Sequence, residues 1–233
     1  MSVLCKDDFL VCAAVDAACW SARCPSSNEW DELLVPRRLT MFNDASLTKL
    51  NVGCVPSKLH RLLPLVTDVD TSSLGDVLDV GFEFLCGCHK LARIDLSPLV
   101  GVSIIGGGFL KQCTVLTSVD LAALHRVTAI PSFFLASCRS LTTLDLSPLS
   151  NVSTIGFWFC AVCVSLAEVD ASRAFSNVTT IGYGFFLNCS RLRRADLSSL
   201  SQWLPSRSAS AGIVVYDSFF EGCTQLQAVA LSS

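Results

Sequence analysis

Apolar residues return at fixed positions every 25 residues through the middle of this chain. Residues 91–115, 116–140 and 141–165 align without a gap, and residues 66–90 fit the same frame. Val66, Val69, Leu74, Val77, Val80, Phe84 and Cys88 stand where the next unit has Leu91, Ile94, Leu99, Val102, Ile105, Phe109 and Cys113. Downstream, 166–191 carries one extra residue near Arg173. Residues 192–225 carry the insertion SQWLPSRSASAG between Leu200 and Ile213, and a further unit opens at Leu226. A unit this short cannot bury its apolar face alone, so neighbouring units must stack and the chain from 66 to 233 is expected to be an α/β solenoid.

Three elements are predicted in each unit. L-x-x-L-D-L has the alternation of a short strand. Ser-Pro at 97–98 and 147–148 turns the chain. V-x-x-I-G returns it as a second extended piece leading into a helical turn, where Phe109 and Cys113, four apart, would share the inner face. The Gly106-Gly107-Gly108 run follows an extended segment without the Lys-Ser/Thr of a phosphate loop, which makes it a tight turn.

Val102/Ile105/Gly106/Cys113, Val152/Ile155/Gly156/Cys163 and Val178/Ile181/Gly182/Cys189 carry a resemblance. The pattern resembles the leucine-rich repeats, and more narrowly their BspA-like class of bacteria and protists, over residues 66–233. The resemblance implies a solenoid with a parallel strand face and a protein-binding role, at the cell surface in the bacterial members. The strand departs from that class, reading LDLSPL where bacterial units more often read I-x-I-P, and the period is a little longer.

Residues 1–35 show no repeat and have helical apolar spacing, so a helical cap over the first open repeat is expected, with 36–65 a transition carrying a short irregular repeat. The Leu4/Phe9/Leu10 start, Trp20 and Trp30-Asp-Glu-Leu33 also resemble the second half of an F-box. That resemblance implies a docking partner, the adaptor of a cullin-type ubiquitin ligase, and a role as its substrate receptor. The opening helix of that motif is missing before Met1.

Composition narrows the partners. The chain is 51% apolar and 16% charged with a net charge of −3, which argues against nucleic acid or an anionic membrane as the main partner. One basic cluster, Arg37, Arg38, Lys49, Lys58 and Arg61, reads as a solvated face. The longest apolar run, residues 9–15, is far too short to span a membrane, and Lys6-Asp7-Asp8 before it make a poor signal peptide. An intracellular, cytoplasmic location is therefore expected. The secreted or surface alternative would give meaning to the sequons at Asn151, Asn177 and Asn188.

The 13 cysteines look like a disulfide framework until their phase is read. Cys88, Cys113, Cys138, Cys163, Cys189 and Cys223 share one repeat position, as a buried column of small apolar side chains would. Cys160 and Cys163 make a lone CxxC with no second pair, so no metal or other cofactor is expected. His60, His89 and His125 are scattered and fit no catalytic motif, so the chain is not expected to be an enzyme.

The strand face is the candidate binding surface. Residues flanking the second apolar position should point outward: Asp70, Arg93/Asp95, Ser118/Asp120, Thr143/Asp145, Glu168/Asp170 and Arg194/Asp196. The aspartates form either an acidic stripe for a basic or hydrogen-bonding protein segment, or a set of caps for the adjoining turn. An alternative loop site holds Trp203 and Arg207. Self-association through the strand edge at 227–231 is a further expectation, because Ala230 replaces the repeated Asp there.

Overall fold

The computed structural model describes residues 66–203 apart from Ser73, residues 218–230, Pro64 and the strand segments at 3–6, 9–14, 38–43, 49–50 and 214–215. In chain order the strands are β1 (Val3–Lys6), β2 (Phe9–Ala14), β3 (Arg38–Asn43), β4 (Lys49–Leu50), β5 (Asp68–Asp70), β6 (Asp79–Val80), β7 (Ile104–Ile105) and β8 (Ala129–Ile130). They continue with β9 (Thr143–Asp145), β10 (Thr154–Ile155), β11 (Glu168–Asp170), β12 (Thr180–Ile181), β13 (Arg194–Asp196), β14 (Val214–Val215) and β15 (Ala228–Ala230). Strands a full repeat apart pair in parallel, coil on coil, which is a stack of short turns around one apolar interior, the solenoid that the period demands.

Two ladders run along the stack. The L-x-x-L-D-L segments supply β9-β11-β13-β15, and the V-x-x-I segments supply β4-β6-β7 and β8-β10-β12-β14. The second ladder breaks between β7 and β8 where Pro131 stands at the position of Gly106 and Gly156. Gly106 N–H donates to Val80 O and Gly156 N–H to Ile130 O, a bond that proline lacks the hydrogen to make. In the first ladder, residues 93–95 and 118–120 carry no strand pairing. Single bonds from Thr117 N–H to Ala92 O and from Thr142 N–H to Thr117 O hold their register.

Between the V-x-x-I strand and the column cysteine, the expected helical turn is replaced by something flatter. Alternate residues take positive φ in every coil: Gly108, Leu110 and Gln112, then Phe133, Leu135 and Ser137, then Trp158, Cys160 and Val162. The chain makes successive tight turns, such as Lys111 N–H to Gly108 O and Cys113 N–H to Leu110 O, each with positive φ at its third residue as in a type II turn. The reason is spacing. Coils stack about 4.8 Å apart on the strand side, and a helix about 10 Å across on the other side would force the stack to curve, whereas the flat turns match the strand spacing. The alternation also sends backbone donors along the stack: Leu110 N–H reaches back to Phe84 O, while Gly108 and Gln112 N–H reach forward to Ser132 O and Ala136 O.

This geometry strains the non-glycine residues and makes a stabilising change legible. Gln112 is exposed at φ 61°, and its counterparts Gly87 and Gly222 have φ 80° and 75°. Left-handed backbone costs an L-residue roughly 1–2 kcal/mol, partly offset by the entropy that glycine adds to the unfolded chain. Gln112→Gly is therefore expected to stabilise the fold by about 0.5–1 kcal/mol. A denaturation midpoint unchanged or lowered by this substitution would contradict the backbone assignment.

The interior is a stack of columns. Phe84, Phe109, Phe134, Phe159 and Phe185 are fully buried and stack face to face at 5.1, 5.3, 5.8 and 5.2 Å between ring centroids. Phe175, beside the extra residue of its repeat, packs edge-on against Phe159 and Phe185. The six column cysteines are buried beside this spine, so the inward placement of Phe109 and Cys113 holds although the helix does not.

The N-terminal expectation is corrected in part. β1 and β2 form an antiparallel hairpin, with Leu4 opposite Val11, and β2 pairs in parallel with β3, which pairs with β5. Leu4, Phe9 and Leu10 are thus on strands rather than at a helix start. A short apolar run such as Phe9–Ala14 is as compatible with a strand as with a helix, and only its partners decide. Trp20 and Trp30 lie outside the described residues.

Candidate functional site

The strand face forms as the alternation requires. Arg93, Asp95, Ser118, Asp120, Thr143, Asp145, Glu168, Asp170 and Arg194 are exposed, while Asp70 and Asp196 are half-buried. In the ladder, Asp170 lies directly between Asp145 and Asp196, and Glu168 between Thr143 and Arg194. Asp95 and Asp120 continue the row beyond the paired strands. Asp70 heads it on β5, next to Thr40.

Each aspartate also serves its own turn. Oδ1 of Asp70, Asp95, Asp120, Asp145, Asp170 and Asp196 accepts the backbone N–H two residues on, at 2.8–3.0 Å. Each bond closes a local side-chain turn, and those of Asp95, Asp120, Asp145 and Asp196 lead into the 3-10 turns Ser97–Gly101, Ala122–Leu124, Ser147–Leu149 and Ser198–Trp203. The Ser97 N–H, then its hydroxyl, hold the Asp95 carboxyl below its ordinary value, and Ser172 does the same for Asp170. The turn-capping reading is therefore correct, and it fixes each carboxylate in one outward orientation. Trp203 is the last residue of the Ser198–Trp203 turn, and Arg207 lies outside the described residues.

The cysteine column has a structural task. Sγ of Cys113, Cys138, Cys163, Cys189 and Cys223 donates to the carbonyl of Leu85, Leu110, Leu135, Cys160 and Phe186 in the preceding coil, at 3.1–3.3 Å. Those acceptors are the positive-φ residues of the flat turns, so the thiol is a small apolar group with one useful donor. Burial pushes the thiols of Cys88 and Cys138 up to about 12. All six are unpaired. Alkylation at mildly alkaline pH is expected to leave the column untouched in the native protein and to modify it fully in denaturant. Rapid native labelling of Cys113 and Cys138, or a disulfide among the six, would refute it.

Another feature is exposed on the V-x-x-I side that the repeat pattern alone did not mark. Phe157 and Tyr183 are 42% and 40% exposed with centroids 4.8 Å apart, and Phe82 further along is 68% exposed. Trp158 stands edge-on between Phe133 (4.7 Å) and Tyr183 (5.7 Å), and Lys111 Nζ sits 4.3 Å from the Phe133 ring centre. The signal was the residue that follows the Gly closing the second strand, which is Phe82, Phe157 and Tyr183 in three of the units and Gly107 in another. Glycines make room for it: a Cβ on Gly184 would strike the Trp158 ring, and one on Gly107 would touch Phe82.

No helix among the described residues is long and apolar enough to cross a membrane, and no cluster of three or more metal-binding side chains occurs among them. The sequon amides Asn151 and Asn177 donate to His125 O and Ser150 O, tying adjacent coils.

Parallel coils with buried Phe and Cys columns and an outward Asp row define a leucine-rich-repeat solenoid. The model of the BspA type leucine rich repeat region matches six copies across residues 73–206, and the chain belongs to that family. No curated protein matches the chain. Among solved structures it is similar to the T. pallidum leucine rich repeat protein TpLRR, with 24% identity, a TM-score of 0.48 and coverage of 66% of this chain. The chain spans 63% of the length of that protein. A leucine rich cell surface protein of Faecalibacterium prausnitzii is similar at 13% identity and TM-score 0.33, covering 87% of this chain and 81% of the other. A leucine-rich repeat protein of Bacteroides ovatus gives 14% identity and TM-score 0.34, covering 83% and 60%.

Proposed function

We propose that this protein is a non-enzymatic protein-interaction scaffold that binds through the Asp-bearing strand face. The observation that supports it is the row of exposed aspartates repeated coil after coil, each held at Oδ1 by its own turn. A carboxylate fixed before binding loses little freedom on meeting a partner, and several in line fit an extended basic or hydrogen-bonding protein segment. Arg93, Ser118, Thr143, Glu168 and Arg194 vary beside this constant row, which gives the surface a means of selecting among such segments.

Asn keeps the Oδ1 acceptor and removes the charge. Asp120→Asn with Asp145→Asn is therefore expected to leave the fold intact and to weaken, by about tenfold or more, binding of a partner identified by co-purification and mass spectrometry. Alanine at the same positions should in addition cost about 1 kcal/mol each, because the Ala122 and Ser147 N–H groups lose their side-chain acceptor. Binding that survives the Asn changes but is lost on deleting 201–212 would move the site to the Trp203–Arg207 loop. The absence of disulfides among the described cysteines is what residence in a reducing, intracellular compartment would give. Glycan on Asn151 or Asn177 would contradict that location.

A further inference from the structure

Around Phe157 and Tyr183 the V-x-x-I side of the solenoid carries no charged residue, and charges on that side such as Asp79, Glu83 and Lys111 belong to the coils before it. From Leu146 to Ala167 and from Ala174 to Ser190 the chain holds no Asp, Glu, Lys or Arg, and the same is true of 96–110 and 127–138. Segments 146–167 and 174–190 expose aromatic rings, hydroxyls and amides instead, while 96–110 exposes the aliphatic Val100 and Ile104. A charged ligand desolvated against Phe157 and Tyr183 would find no counter-charge within 146–167 or 174–190, which is costly, so this part of the face selects against ions of either sign.

The rings are held in place before any ligand arrives. Trp158 is fixed edge-on between Phe133 and Tyr183, and Phe157 leans over Gly182, whose missing side chain leaves the space. Beside them Thr154 and Thr180 occupy paired outward positions of the ladder. A rigid aromatic platform fringed with hydroxyls matches a molecule that is apolar on its C–H faces and polar at its rim, carries no charge, and is long enough to run across several coils. We propose that the Phe157–Trp158–Tyr183 face binds a neutral polysaccharide, independently of the aspartate row.

Native gel electrophoresis in gels containing laminarin, mannan or xyloglucan tests this with the full chain. At least one of these polymers is expected to retard the protein, and high salt should not abolish the retardation. Tyr183→Leu and Phe157→Leu keep apolar volume but remove the flat ring, and should weaken the apparent affinity at least about tenfold with the circular dichroism spectrum and melting temperature unchanged. Asp120→Asn with Asp145→Asn should leave it unaltered, which separates this site from the protein-binding face. The inference is overturned if none of the three polymers retards the protein, if the ring-removing variants are retarded as strongly as the parent, or if salt abolishes the effect.

Discussion

Replacing Phe159 by alanine is expected to destabilise the protein by about 3–5 kcal/mol, the cost of emptying a fully buried aromatic site. Phe159 is the middle ring of the spine, stacked on Phe134 at 5.8 Å and Phe185 at 5.2 Å, with Phe175 and Phe186 edge-on beside it. In a solenoid each coil touches only its neighbours, so the damage is also positional. The coils before and after residue 159 lose their coupling, and a chain that unfolds in one step should unfold in two. Denaturant titration followed by fluorescence and circular dichroism checks both claims. A single transition displaced by less than about 1 kcal/mol would show that the ring column does not carry the stack.

Gly156→Ala should be nearly as damaging although it adds one methyl group. A Cβ there would stand 2.7 Å from the Pro131 carbonyl carbon and closer still to the Ser132 nitrogen. Both are backbone atoms and cannot swing aside, so the two coils must part and strain the Gly156 N–H bond to Ile130 O. Overpacking of this kind costs about 3 kcal/mol. Gly75→Ala is the control, since nothing lies within 4 Å of its Cβ position, and it should be close to neutral. Equal stabilities for the two variants, by the same titration, would contradict the close approach.

The repeat made the solenoid legible because a stack needs the same residue type at the same place in every coil. Val102, Ile105, Phe109 and Cys113 could be assigned to the interior without any structure. The flat turn could not be read, because positive φ at Leu110, Phe133 and Trp158 runs against the preference of those side chains. It is imposed by the coil spacing, which is a property of the neighbours. Glycines at 87 and 222 hinted at it, but the intervening units hold Gln112, Ser137 and Val162. The hairpin of β1 and β2 was hidden for a related reason: six apolar residues in a row hold no period to distinguish strand from helix.

The candidate site divides along the same line. Which residues point outward on the strand face followed from alternation, so the row of Asp95, Asp120, Asp145 and Asp170 was determined by the sequence. That each aspartate holds its own turn was decided by the backbone N–H two residues on, which becomes available only once the chain bends there. The aromatic platform depended most on tertiary structure. Phe133 and Trp158 share one repeat position and Phe157 and Tyr183 the one before it, but the other units hold Gly108 and Gly184 or Gly107 and Ser132 there, so the repeat does not mark these rings as a group. Stacking the coils at strand spacing brings Phe133, Trp158 and Tyr183 edge to face, and only then do these rings form one surface.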